Sequence, residues 1–230
     1  MDFGFYRELS ARHGAARLLA HGAYRALGRL TGLSVWNMMA AELDELERLD
    51  IGRGADAPEL ETGALAPHTR NPDSTGLAED AYRAATARGD RCFGFVEKDR
   101  LAHFSWFSTR PTVMFDMGKR YVLHFDSRAW VYVHNCYTNP ADRGRQLHGR
   151  ALVSAARALR REGYRGMLAR VAWNNFASLK SFERLGFRTV AYALLVPGSE
   201  RPMLTRGRER FGLRFEPPKL RVAGENSVGK

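Results

Sequence analysis

Short β-branched and aromatic runs alternate with stretches of helical periodicity through most of this chain. Cys92 to Glu97 and Leu101 to Ser108 are apolar-aromatic runs separated by Lys98-Asp99-Arg100, which predicts an antiparallel hairpin. Further strands are expected at Tyr121 to Phe125, Trp130 to Thr138, Met167 to Trp173 and Phe187 to Val196, where apolar and β-branched side chains dominate. Leu147, Ala151, Leu152, Ala155, Ala158 and Leu159 fall on one helical face and predict an amphipathic helix from Leu147 to Arg161, stopped by Gly163. Asn175 to Leu185, ended by Gly186, predicts another. Upstream, Leu33 to Ala40 reads as a first strand and the acidic, Gly- and Pro-containing stretch from Glu42 to Pro72 as a loop or loosely structured connection. Ser74 or Thr75 is expected to cap a helix reaching Ala87, closed by Arg88-Gly89-Asp90. Beyond Pro197 the chain predicts at most one more strand, around Arg210 to Phe215.

Near the start the rhythm is different. From Ala15 to Leu30, Arg17, His21, Arg25 and Arg29 recur every fourth position among apolar residues, a helix with a basic stripe. The stripe either faces water or meets an anionic membrane surface. The chain therefore divides into a basic helical segment (1–32), a main domain (33–215) and a flexible basic tail (216–230).

Composition narrows the function classes. At 230 residues, with 44% hydrophobic and 27% charged residues, the chain can bury one α/β core. No apolar run reaches membrane-spanning length and the N-terminus lacks a secretory pattern, so a cytoplasmic location is expected, peripheral at the inner membrane face if the stripe binds lipid. Cys92 and Cys136 lack metal-ligand spacing, so neither zinc nor a structural disulfide is expected. A formal charge of +11 favours anionic partners. Nucleic acid is not specifically expected, because no nucleic-acid-binding motif accompanies the charge.

The chemistry concentrates where the strand ending Cys136-Tyr137-Thr138 runs through Asn139-Pro140-Ala141-Asp142-Arg143-Gly144-Arg145-Gln146 into the helix beginning Leu147-His148-Gly149-Arg150. Unpaired N–H groups and the dipole at such a helix start attract phosphate, and three flanking arginines reinforce them. The alternative is that these arginines face solvent.

This segment resembles the acetyl-coenzyme A signature of the GNAT superfamily, Arg/Gln-x-x-Gly-x-Gly/Ala after a strand and a Pro. Arg143-Gly144-Arg145 and Arg150-Ala151-Leu152 match, whereas Gln146-Leu147-His148 stands where the family has Gly-x-Gly, with Gly149 one step later. A second block, Asn174 to Phe187, is similar to the family's Asn-x-x-Ala/Ser…Gly-Phe ending, with Asn175, Ser178, Gly186 and Phe187 in register. The resemblance covers about residues 92–196. It implies a GNAT-like acyltransferase domain of α/β (α+β) class, with a mixed, mostly antiparallel central sheet flanked by helices and splayed at the cofactor strands. It further implies acetyl-CoA or a longer acyl-CoA as co-substrate, without metal, held by Tyr137, Thr138, Arg143, Gly144, Arg145, Gln146, Leu147, His148, Gly149, Arg150, Asn175 and Ser178.

Direct acyl transfer to an amine needs a base. His134 is the first candidate by its place on the cofactor strand, where strict alternation puts it on one face with Cys136 and Thr138; it also suits a core histidine. Glu97, His124 and Asp126 are weaker alternatives. Phe182 stands where many family members have a tyrosine that protonates the thiolate. A small-molecule or cell-envelope acceptor is expected, and the basic stripe adds an acyl carrier protein or the anionic membrane surface as candidate partners. A non-catalytic acyl-CoA sensor or scaffold is the alternative from another class, and a basic nucleic-acid binder the next.

Overall fold

The computed structural model describes residues 30–51, 56–70, 77–116, 119–205 and 207–218, together with Leu19, Gly22, Ala23, Tyr24, Ala26 and Gly28. The basic stripe at Arg17, His21, Arg25 and Arg29 lies outside the described residues, as do Ser74, Thr75 and 219–230.

In chain order the elements are β1 (Ser34–Glu42), α1 (Leu43–Glu47), β2 (Glu59–Leu60), α2 (Thr62–Leu65), α3 (Glu79–Arg88), β3 (Arg91–Glu97), β4 (Arg100–Ser108), β5 (Thr112–Asp116) and β6 (Lys119–His124). There follow β7 (Trp130–Thr138), α4 (Leu147–Arg161), β8 (Gly166–Ala172), α5 (Phe176–Arg184), β9 (Arg188–Leu195), β10 (Met203–Leu204) and β11 (Arg214–Glu216). The β3–β4 hairpin turns through Lys98 and Asp99, both with positive φ. That left-handed pair matches the twist of the flanking strands. Helix α3 closes on Gly89, whose φ of 73° suits a residue without Cβ.

Eight strands form one mixed sheet in the order β10-β9-β1-β8-β7-β4-β3-β2, and β11-β6-β5 form a second. The fold is α/β with a mostly antiparallel central sheet flanked by helices. Among the described residues only β7 and β8 run parallel, and α4 is the crossover that a parallel pair requires. The first strand is inserted between β8 and β9, pairing Trp36 with Ala172 and with Ala193.

Two layers pack on this sheet. Helices α1, α4 and α5 cover one face through Leu46, Leu147, Ala151, Leu152, Ala155, Leu159 and Phe182, against Val131, Val133, Met167 and Ala169. The alanines of α4 let the helix approach the sheet closely. On the opposite face the small sheet covers Trp130, Tyr132 and Leu168 with Tyr121, Leu123 and Phe215. Beside it α3 contributes Ala85 to a cluster with Leu77, Cys92, Phe104 and Trp106.

The segment expected as a loop or loosely structured connection from Glu42 to Pro72 is instead largely structured. Leu43 and Leu46 are buried one helical turn apart, so α1 forms because its apolar side has a core to enter. Ser154 on α4 accepts a hydrogen bond from the Ala57 N–H, 2.9 Å, which fastens the following stretch. Four acidic residues there face the arginines of neighbouring elements. Glu47 pairs with Arg160, Asp56 with Arg157, Glu59 with Arg91, and Glu42 with both Arg165 and Arg210. Much of the positive charge is thus answered within the protein. The helix expected to start after Ser74 or Thr75 begins at Glu79, its N-cap Ala78 making no side-chain cap.

Candidate functional site

The pairing of β7 with β8 runs from Trp130/Gly166 to Val133/Ala169 and stops there, while β7 continues to Thr138 and β8 to Ala172. Beyond that point β7 is hydrogen-bonded only to β4. The two central strands therefore part in the middle of the sheet.

At the parting Asn135 adopts φ 48°, a left-handed conformation that breaks the strand's alternation. His134 stacks on Tyr132, ring centroids 5.9 Å apart, on the small-sheet face, whereas Cys136 packs into the core on the α4 face. The expectation that His134, Cys136 and Thr138 share a face is corrected by this bulge, since one extra residue reverses every side chain after it. Burial pushes the Cys136 thiol up to about 11, so it is a poor nucleophile.

The cleft at the start of α4 has a volume of about 520 Å³ and lies between β7, the loop and α5. Of the residues singled out from the sequence, Thr138, Arg143, Gly144, Gln146, Leu147, His148 and Gly149 line it. Asp142, Ser181, Arg184, Leu185, Leu49, Asp50 and Ile51 complete its walls, and the last three come from a segment that no motif marked. Tyr137, Arg145, Arg150, Asn175 and Ser178 do not line it. Tyr137 packs near Phe104 with the α3-side cluster, and Arg150 lies over the Phe95 ring, 4.6 Å from its centroid.

Helix α4 starts without a side-chain cap: Gln146 at φ 58° takes the N-cap position, and the first ladder bond runs from Arg150 N–H to the Gln146 carbonyl. The N–H groups of residues 147–149 precede that ladder and point towards the cleft end of the helix. Gly144 has φ 87°, which permits the preceding turn. Gly149 serves packing, since a Cβ there would meet Ile51 at 3.1 Å and Leu185 at 3.2 Å.

The three arginines differ in state. Arg145 is bound to Glu97 on the β3–β4 hairpin, at 2.6 and 3.0 Å, and to Asp142, 2.7 Å. Asp142 is also gripped by Arg100, so this cluster fastens the loop to the hairpin. Arg143 makes no ion pair among the described residues and lines the cleft. Asn175 caps α5, its Oδ1 accepting from Ser178 N–H at 3.2 Å.

Two histidines stand on the α4 face. His103 on β4 bonds Thr138 Oγ1 at 2.8 Å and Ser105 Oγ at 3.0 Å. His148 lies 5.7 Å from it, ring to ring, and 4.9 Å edge-on from Phe182. The His148 Nε2 is buried without a hydrogen-bond partner among the described residues. Burial pushes His103 down to about 3, aided by its neighbour, and His148 down to about 4, so both rings are neutral near pH 7. Motif matching could not single out His103, because it comes from a strand that carries no signature.

On the opposite face His134 Nε2 lies 2.9 Å from Asp90 Oδ2, which also receives Arg88 Nη2 at 2.6 Å. Burial lowers the His134 pKa, opposed by the Asp90 carboxylate. Asp90 itself is held below the usual carboxylate range, because the hydrogen bonds from His134 and Arg88 outweigh its burial. A neutral His134 donating Nε2–H to Asp90 leaves Nδ1 as the basic nitrogen. Of the weaker candidates, Glu97 is committed to Arg145 and His124 to Glu216, 3.1 Å. Among the described residues no cluster of His, Cys, Asp and Glu is suited to a metal.

No protein-family model matches the chain, and neither does any curated protein. Solved structures do. A conserved protein of unknown function from Staphylococcus epidermidis ATCC 12228 is similar at TM-score 0.51 and 8% identity, over 74% of this chain and 64% of that one. Two proteins described as GNAT-family acetyltransferases are similar in fold. The one from Novosphingobium aromaticivorans DSM 12444 has TM-score 0.49 and 16% identity, over 70% of this chain and 62% of its own. The one from Colwellia psychrerythraea has TM-score 0.48 and 15% identity, over 75% of this chain and 59% of its own. This chain spans less than two thirds of the length of each of these structures. The likeness is one of fold.

Proposed function

We propose that this chain is an N-acyltransferase of GNAT type, moving an acyl group, acetyl in the first instance, from acyl-coenzyme A to an amine. The observation that carries this reading is the coincidence of two features: β7 leaves β8 after Val133, and the same strand ends at the uncapped start of α4, where the cleft lies. Free N–H groups, Arg143 and the unpartnered His148 Nε2 suit a pyrophosphate there. The gap between the parted strands suits the pantetheine arm.

In this reading the amine nitrogen attacks the thioester carbonyl, the new C–N bond forms, the C–S bond breaks and the thiolate leaves. A main-chain N–H on the β8-side edge of β7, beyond Val133, stabilises the oxyanion. His134 Nδ1 takes the proton from the amine, with Asp90 fixing the tautomer. Phe182 offers no proton to the leaving sulfur, which then departs as thiolate or takes a proton from water.

Binding without catalysis is the second reading, favoured by the two side chains, Phe182 and His148, that stand at signature positions. Titration with acetyl-coenzyme A, followed by melting temperature and by thiol release in the presence of an amine panel, separates the two. Stabilisation with thiol release is expected. Stabilisation without release supports a sensor, and absence of both removes the cofactor site. The acyl carrier protein, cell-envelope and membrane partners rest on the N-terminal stripe and belong to the same proposal.

A further inference from the structure

Arg170 on β8 is a cation without an acidic partner among the described residues. Its guanidinium lies over the Trp36 ring, 3.8 Å from the centroid, and donates to the Tyr121 hydroxyl at 2.6 Å. The Tyr132 hydroxyl also faces it. Tyr121 and Tyr132 are buried, and Arg170 is partly buried between them and the indole. Many other arginines of this protein meet carboxylates, Arg88, Arg91, Arg145, Arg157, Arg160, Arg165 and Arg210 among them. The guanidinium is thus held among phenol hydroxyls and an indole face, with no carboxylate beside it among the described residues.

Its position gives that charge a use. Val133 and Ala169 are the last pair joining β7 to β8, so His134 and Arg170 are the next residue on each strand, flanking the point where the strands part. Both side chains lie on the face away from α4. His134 stacks on Tyr132, whose hydroxyl faces Arg170, and Arg170 meets Tyr121 of the small sheet. A proton acceptor and an unanswered cation thus border one opening.

We infer that Arg170 recognises the acceptor: the amine substrate carries an oxyanion group, carboxylate or phosphate, that docks on this guanidinium beside His134. This rests on the acyl-transfer reading and adds the substrate class. The planar fork of a guanidinium matches such oxyanions in two-point hydrogen bonding, and the aromatic rings hold it ready without neutralising it. An uncharged amine would leave the guanidinium without a counter-charge in the complex.

The test uses acetyl-coenzyme A and matched acceptor pairs: amino carboxylates against their carboxamides, and aminoalkyl phosphates against the corresponding amino alcohols. The anionic member of at least one pair is expected to have kcat/KM higher by about tenfold or more. Which pair shows the gap identifies the oxyanion. Arg170→Gln is expected to erase the gap through KM while leaving the uncharged member's constants within about twofold, and Arg170→Lys to retain part of it. Equal use of both members by the parent protein, or a gap that survives in Arg170→Gln, overturns the inference. Should no amine be acetylated, the acyl-transfer reading fails, and the site is decided by binding alone. Acetate and inorganic phosphate are then titrated into the parent and Arg170→Gln proteins by NMR. Shifts at Tyr121 and Tyr132 that vanish with the arginine support the anion site, and their absence in the parent overturns it.

Discussion

The His148 imidazole meets the Phe182 ring edge-on, centroids 4.9 Å apart and planes at 89°, so two of the side chains that depart from the resembled signature pack against each other. They come from different elements, α4 and α5; His148 lines the cleft at the start of α4, and Phe182 backs it from the core. The contact leaves the His148 Nε2 buried and unpartnered. A ligand oxygen reaching that nitrogen would satisfy it.

His148→Phe keeps the ring contact and removes the orphan nitrogen. Its melting temperature is expected to equal or exceed that of the parent, because an unsatisfied buried polar atom is lost. Its affinity for coenzyme A, measured by calorimetry, is expected to fall by about 1 kcal/mol, the size of one hydrogen bond. A rise in affinity would mean that the imidazole stands in the ligand's path.

Arg143 and Arg145 should separate by readout. Arg143→Ala is expected to weaken coenzyme A binding by about fivefold or more with little change in melting temperature, since the side chain lines the cleft without an internal ion pair. Arg145→Ala is expected to do the opposite, because it leaves Asp142 with Arg100 alone and frees Glu97 on the hairpin. Parallel calorimetry and melting curves decide it, and the reverse pattern would place the phosphate at Arg145.

Acid should destabilise the fold well before its carboxylates protonate. Burial depresses His148 to about 4 and His103 to about 3, below the value near 6.5 of an unfolded histidine. Below pH 6.5 the unfolded chain binds more protons, so stability, fully present above that pH, falls as the pH drops towards 4. His148 alone corresponds to a loss of about 3 kcal/mol by pH 4. Asp90, held low by His134 and Arg88, acts in a separate window below the ordinary carboxylate value near 3.9. Urea midpoints from pH 7 to 4.5 measure the slope, and His148→Phe is expected to flatten it. An identical slope in the variant would show that His148 is not the titrating group.

For His134, turnover rather than stability is the readout. His134→Gln is expected to lower kcat by about a hundredfold or more at neutral pH, and Asp90→Asn by less, since the ring remains but its tautomer is no longer fixed. Activity of His134→Gln within twofold of the parent from pH 6 to 9 would assign the proton to another acceptor.

Asn175→Ala tests a residue whose signature position admits two roles. Loss of the hydrogen bond to Ser178 N–H is expected to cost about 1 kcal/mol of stability by urea denaturation. Asn175→Asp should retain the cap, and a matched loss of coenzyme A affinity in both variants would point to a binding role instead.

Local rhythm was enough to delimit β7, α4, α5 and the β3–β4 hairpin to within a residue or two, because their apolar periodicity and their glycine stops act over a few neighbouring positions. The basic loop and the helix it enters were legible for the same reason: strand, turn and uncapped helix are consecutive in the chain. Helix α1 was not legible, since five residues become helical only where Leu43 and Leu46 find a core assembled from α4 and β8. Nor was the insertion of β1 between β8 and β9, a pairing across more than a hundred residues that hydrogen bonds form only after the rest of the sheet is in place. His134 could be named from its strand, but a single left-handed residue, Asn135, decided which face it serves. Its partner Asp90, the His103 beside His148 and the Arg170 across the opening come from distant segments. Proximity between side chains on separate strands follows from register and bulges, which tertiary packing sets and which no local pattern encodes.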